Sequence, residues 1–230
     1  MAESVSYRSI VVASQYASWL LGQLLRLRYA IRAHRPAGLF EHTSEHCLIL
    51  ASAHKTIFDP WLLMIALSYR HFRTLVPIRT LATQTFQGPL RWLLWFKPLI
   101  KILYRAEGVI ELPPENHGDG FHSEKVRGLL VALKHGDVAA IFPEGEIWRK
   151  REPPIGEFAP GVIYLQRRSG ARIVPIAVWI SEGSWPRRCY VVHFGQPVVI
   201  PEHLSLDAGA EWLRQQVLAL YERAKPEGGR

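Results

Sequence analysis

His54 and Asp59 stand five residues apart in the stretch Ala51-Ser-Ala-His-Lys-Thr-Ile-Phe-Asp-Pro-Trp61, and a histidine beside a carboxylate can move a proton. The carboxylate accepts one ring N–H, fixes the tautomer and leaves the other ring nitrogen free as a base. On a continuous helix a five-residue step would rotate the two side chains ~140° apart, so they can meet only where the chain turns between them. A strand-to-helix corner is such a turn. The apolar run His46-Cys-Leu-Ile-Leu-Ala-Ser52 reads as a buried strand. Asp59 followed by Pro60 reads as the N-cap and first residue of a helix. That corner accounts for Asp59 but not for His54. The pair supplies no nucleophile, so the nucleophile it would activate is a substrate hydroxyl. By itself, a His and an Asp at this spacing arises often by chance.

The elements that must position this pair alternate along the chain. A helix is expected from about Pro60 to Tyr69 and a short strand over Thr74 to Ile78. Pro89 to Arg105 reads as a helix pair kinked or broken at Pro98. Lys97, Lys101, Arg105 and Arg91 fall there within a ~120° arc, across from Trp92, Trp95 and Phe96. Further strands are expected over Gly108–Leu112, Asp137–Phe142, Ala171–Trp179 and Tyr190–Phe194, and helices over Ser123–His135, Gly161–Ser169 and Gly209–Lys225. This alternation predicts a single α/β domain whose mixed, largely parallel sheet is flanked by helices. In such sheets ligands gather at the carboxyl ends of strands. The loops Ala53 to Asp59 and Pro143 to Arg151 lie there. His117, Asp119 and His122 could suggest a metal site, but their Gly-spaced setting favours a solvated loop, and no metal is expected.

With 230 residues the chain has the size of one large domain, and its net charge of +8 predicts an anionic partner. No acid occurs between Ser4 and Phe40 or between Pro60 and Ala106, while both stretches carry several arginines. These basic residues lie within the apolar, Trp-rich parts of the chain rather than in polar arms. Such mixing marks a membrane interface more than a nucleic-acid binder. The segment Ile10 to Ile31 is interrupted by Ser14, Gln15, Ser18, Gln23, Arg26 and Arg28, and so falls short of the ~20 apolar residues of a spanning helix. It reads as an amphipathic helix, lying on one leaflet or packed against the core. Cys47 and Cys189 are too few for a disulfide framework; reduced, buried, inert thiols in a cytosol-facing protein are expected.

His54-Lys-Thr-Ile-Phe-Asp59 resembles the His-four-residues-Asp motif of the glycerolipid acyltransferases, the lysophosphatidate acyltransferase-like family. Phe142-Pro-Glu-Gly145 resembles that family's second signature. Phe158-Ala-Pro-Gly161, Ile173-Val-Pro-Ile176 and Phe194-Gly-Gln-Pro197 resemble its later blocks. Together they stand in the family's order over roughly residues 45 to 200. The resemblance implies that His54 deprotonates an acceptor hydroxyl as it attacks an acyl thioester, with Asp59 orienting it. It implies acyl-CoA or acyl-carrier protein as donor substrate, a lipid acceptor, no cofactor and no nucleic acid. Glu144 and Gly145 inherit a place in the acceptor site, and a glycine at 145 also permits close backbone approach. On this reading residues 1–40 form an N-terminal membrane-associating helix and 41–230 the acyltransferase domain. The protein would be peripheral or monotopic on an anionic membrane surface, at the cytoplasmic face.

Two places depart from the family pattern. Glu146 and Ile147 follow Glu-Gly where Thr and Arg are usual, and Pro114 stands where an Arg usually ends the Gly-Val-Ile strand. Both usual phosphate-binding arginines are absent. Arg149, Lys150, Arg151 or Arg105 could supply the charge, although Arg149 to Arg151 also read as a solvated charge run. Lysophosphatidate is the first acceptor implied. A glycolipid, carotenoid glycoside or lyso-amino lipid is the alternative, and a non-catalytic lipid-binding protein or an acyl hydrolase stands outside both.

Overall fold

The computed structural model of the chain describes residues 5–40, 48–83, 95, 97–112, 123–148, 152–181 and 188–224. Its centre is a pair of strands, β2 (Leu48–Ser52) and β5 (Val138–Ile141), buried at every position. Continuous apolar runs of this kind are what a strand covered on both faces requires. The alternation of side chains across the strands divides the core in two. Leu48, Leu50, Val138 and Ala140 face one cluster, and Ile49, Ala51, Ala139 and Ile141 the other. Helices α1 (Val5–Gly22), α2 (Asp59–Ala66) and α3 (Tyr69–Leu75) cover the first cluster. Helices α5 (Ser123–Lys134), α6 (Gly161–Ser169) and α7 (Leu206–Ala224) cover the second.

Around the central pair run β1 (Tyr29–His34), β3 (Ile78–Thr83), β4 (Ile110–Leu112), β6 (Arg172–Ile180) and β7 (Arg188–Phe194). Among the described residues the sheet has seven strands in the order β1-β7-β6-β2-β5-β3-β4. Every pair is parallel except β6 with β7. The fold is therefore the expected α/β domain with a mixed, largely parallel sheet. β2 pairs with β6 only as far as Ser52↔Ile176, while β6 runs on to pair Ile180 with Tyr190. That overhang builds a wall beside the carboxyl end of β2.

The segment 1–40 is more than a helix. β1 lies inside it and joins the sheet edge against β7, a short basic strand whose half-exposed pattern is weakly legible. Helix α1 packs one face against the core and exposes apolar side chains on another. Val11, Gln15 and Gly22 are buried. The Gln15 amide donates to Ile78 O at 2.6 Å and Glu107 O at 2.9 Å, and its oxygen accepts Ile78 N–H at 2.9 Å. Ile10, Leu20 and Leu21 stay exposed, and so do Leu24 and Leu27 in the short 3-10 turn that follows. None of the described helices is long and apolar enough to cross a membrane.

Two element boundaries differ from expectation. The helix after Asp59 stops at Ala66, and residues 74–75 end α3 instead of opening a strand, with the Ser68 hydroxyl accepting His71 N–H at its start. Helix α4 (Lys97–Ala106) holds Pro98 in its first turn, where a missing N–H costs nothing; the helix expected before it falls mostly outside the described residues. Arg91, Trp92 and the placement of Phe96 lie outside the described residues. So do Cys47, Pro114, His117, Asp119 and His122. Cys189 is free and half-buried rather than buried.

Candidate active site

The chain leaves the sheet immediately before His54. Ala53 N–H still bonds to Ile176 O at 3.2 Å; a tight turn follows in which Asp59 N–H reaches Thr56 O at 3.0 Å. Phe58, not Asp59, occupies the N-cap position of α2, and no side chain caps that helix. The Asp59 carboxylate points back into the loop. Its Oδ2 accepts the backbone N–H of Lys55, that of Thr56 at 2.8 Å and His54 Nδ1 at 2.8 Å. Its Oδ1 accepts the Tyr190 hydroxyl at 2.9 Å. Asp59 is fully buried, and every partner is a donor, so its buried oxygens are hydrogen-bonded.

An ionised carboxylate can only accept, so Nδ1 of His54 donates this bond, and in the neutral ring Nε2 is left as an acceptor. The ring stacks on Phe142, with centroids 4.3 Å apart, and its side chain is 18% exposed. A base is thus held by one edge, supported on one face, and reachable from outside. The expected juxtaposition of His54 and Asp59 is present in the structure.

Glu144 does something the motif does not announce. Its Oε2 accepts His54 N–H at 2.6 Å and its Oε1 accepts Gly156 N–H at 2.8 Å. Burial pushes its carboxyl up from the usual range, against the pull of those two N–H groups and of Lys55 and His54. Both oxygens are engaged by backbone, so Glu144 braces the loop that carries His54. Trp148 N–H adds a bond to His54 O at 2.8 Å, and the Trp148 indole donates to Pro153 O at 2.8 Å. Gly156 fits beneath that indole, where a Cβ would come within 2.6 Å of the ring. Gly145 has φ of 71° and open space at its Cβ position. It takes a left-handed turn that favours glycine.

Lys55 was not singled out by the sequence. Its ammonium donates to Pro154 O and lies 5.7 Å from the Tyr221 ring centre. Burial pushes its pKa down, while Glu144 and Asp59 pull it back up. Tyr190 was missed as well; in Tyr-Val-Val-His-Phe it reads as a core aromatic, and only the pairing of β7 with β6 carries it to Asp59. Arg105 does not join the site. It ends α4, lies over the Tyr7 ring with its guanidinium 5.7 Å from the ring centre, and accepts the Tyr7 hydroxyl on its backbone carbonyl at 2.8 Å. Tyr7 also faces Arg79, the second residue of β3, which pairs with Ala139 near the start of β5. Arg105 therefore belongs to the amino end of the sheet, and His54 to the carboxyl end. Arg149, Lys150 and Arg151 lie outside the described residues. No cluster of three His, Cys, Asp or Glu that could hold a metal occurs among the described residues.

Comparison with known proteins points the same way as the geometry. The family model described as Acyltransferase matches residues 31–179, more than half of the chain. The chain is similar in fold to the crystal structure of the 1-acyl-sn-glycerophosphate (LPA) acyltransferase, PlsC, from Thermotoga maritima. The TM-score is 0.64 at 16% identity, over 94% of this chain and 83% of that one. A search of curated protein sequences finds no match.

Proposed function

The chain belongs to the acyltransferase family, and from that premise we propose that it moves a fatty acyl group from an acyl thioester to a hydroxyl of a lipid acceptor. The observation that carries the reading is the His54–Asp59 pair with Nε2 left free and Nδ1 held at 2.8 Å. The acceptor O–H gives its proton to Nε2 as its oxygen attacks the thioester carbonyl carbon. The imidazolium so formed faces Asp59. When the tetrahedral adduct collapses, the C–S bond breaks and the same proton passes to the leaving thiolate. The products are an ester and a free thiol, and His54 is again neutral. A general base of this kind contributes about 10²–10⁴-fold.

Acyl-CoA or an acyl-carrier protein is the donor in this proposal, and 1-acyl-sn-glycerol 3-phosphate the first acceptor, with Arg149 and its neighbours reading the phosphate. Glu146 and Ile147, placed just after the brace at Glu144, favour a second reading, an acceptor without phosphate. Retention of both His54 and Asp59 in a bonded pair speaks against a non-catalytic lipid binder. Association with an anionic membrane surface, at its cytoplasmic face, is supported by the apolar face of Leu20, Leu21, Leu24 and Leu27 beside Arg26 and Arg28.

Thioester consumption with palmitoyl-CoA tests the reaction against lysophosphatidate, other lysophospholipids and neutral glycolipids. Transfer is expected with at least one lipid and a fall of about 10²–10⁴-fold in His54→Ala; retained transfer in that variant would refute the mechanism. Replacing Leu20, Leu21 and Leu24 by Ser should weaken co-sedimentation with anionic vesicles while leaving the buried face of α1 intact. Unchanged co-sedimentation removes this face as the membrane contact.

A further inference from the structure

Tyr190 lies eleven residues beyond the stretch matched by the acyltransferase model, yet its hydroxyl is 2.9 Å from Asp59 Oδ1. We propose that Tyr190 is a positioning residue of the acyl-transfer base, acting through Asp59: its phenol fixes the rotation of the carboxylate and sets how much of the negative charge faces His54.

The four bonds to Asp59 are unevenly shared. Oδ2 takes two backbone N–H groups and the imidazole; Oδ1 takes the phenol. Asp59 and Tyr190 are both fully buried, so no water replaces a lost donor. Without the phenol, Oδ1 would be a buried charged oxygen with nothing donating to it. The carboxylate could then relieve that cost only by turning, which would pull Oδ2 away from His54 and from the loop. The phenol is also a fixed donor. Burial, together with the Asp59 charge, pushes its pKa well above the ordinary tyrosine value, so it does not ionise where the enzyme works. Its own position is secured from behind by Tyr29 of β1, edge-on with ring centres 6.0 Å apart, and by the antiparallel register Ile180↔Tyr190. An edge strand and the overhang of β6 thus reach the base through one hydroxyl.

The inference rests on the reading of His54 as base, so the experiment separates the two. Tyr190→Phe keeps the ring against Tyr29 and removes only the hydroxyl. Its kcat is expected to fall about ten- to a hundredfold, the range for losing a hydrogen bond to a charged group, with KM for both substrates held. The acidic limb of its pH–rate profile should move to lower pH, because a carboxylate turned from Nδ1 stabilises the imidazolium less and His54 is protonated only at lower pH. The other charged and titratable groups facing this network are Lys55 and Glu144 beside His54 and Tyr29 behind Tyr190, and all are unchanged in the variant. In an Asp59→Asn background the same substitution should cost nothing further in kcat. A merely structural tyrosine would lower the melting temperature in both backgrounds and leave the limb in place. An unmoved limb, or an undiminished loss of kcat beside Asp59→Asn, overturns the proposal. Should Tyr190→Phe not fold, 3-fluorotyrosine placed at 190 is a stronger donor and should move the limb to lower pH; no movement overturns it equally. Full activity in His54→Ala would instead refute the base reading itself.

Discussion

Two buried carboxylates mark opposite ends of this sheet, Asp59 at the carboxyl end and Asp137 just before β5 at the amino end, and both are closed to water. Their partners differ in kind. Asp137 meets the Arg79 Nε at 2.8 Å through Oδ2 and a charge contact from Arg8 at 2.8 Å through Oδ1. Arg79 is itself buried and lies over the Tyr7 ring. Two permanent cations cancel that charge, and the assembly ties α1, β3 and β5 together. Asp59 has only neutral donors bonded to it, and the nearest ammonium, Lys55, gives its hydrogen bond to Pro154 O. A carboxylate already neutralised can hold elements together. One held in place by neutral groups keeps its charge for a cation that exists only while a proton is in transit. The second arrangement is costly to keep buried, and that cost is a reason to look for chemistry at the site.

Exchanging charge for amide at each end should separate these roles. Asp59→Asn is expected to lower kcat about 10²–10⁴-fold, because an amide oxygen can still accept from Nδ1 but carries no charge to stabilise the imidazolium. Asp137→Asn removes the carboxylate that the buried Arg79 guanidinium bonds. Here the expected loss is stability, about 3–5 kcal/mol, read as a fall in melting temperature or denaturant midpoint, with kcat per folded molecule unchanged. If Asp137→Asn cost activity without stability, or Asp59→Asn kept its rate, the contrast between the two ends would be wrong.

The catalytic end was the more legible of the two in the sequence, for a physical reason. His54 and Asp59 are brought together by one turn at the end of β2, and short spacing carries that information; Glu144 and Gly145 follow β5 just as directly, although the 90-residue contact of Glu144 with His54 depends on the pairing of β2 with β5. The continuous apolar runs Leu48–Ser52 and Val138–Ile141 announce buried strands just as directly. What could not be read was long-range. Tyr190 meets Asp59 across 131 residues, and only the register of β7 on β6 decides that it does. The bracing role of Glu144 was not legible because its partners are backbone N–H groups, which every residue has and no motif displays. β1 escaped because Tyr-Ala-Ile-Arg-Ala-His is short, basic and half-exposed at a sheet edge. Arg105 was misplaced because basic residues on one helical arc say which way a helix faces and nothing about which end of the sheet it reaches.

Arg105 therefore offers the mildest and most discriminating test of the two-ended division. It is exposed, its guanidinium lies 5.7 Å from the Tyr7 ring centre, and the hydroxyl bond from Tyr7 goes to its backbone, which a substitution leaves in place. Arg105→Ala should cost at most about 0.5–1 kcal/mol from the lost cation–ring contact, with KM for a phosphate-bearing acceptor within about twofold of wild type, since a factor of two is only ~0.4 kcal/mol. Arg149→Ala and Lys150→Ala, five and six positions after Glu144 in the sequence, should instead raise that KM about tenfold or more if they read the phosphate, as the loss of a charge-assisted bond predicts. The same pair of substitutions should be silent toward a neutral acceptor. A raised KM in Arg105→Ala alone would mean that the anion is held at the amino end of the sheet. The acceptor would then have to span from there to His54, and the separation of a structural end from a catalytic one would fail.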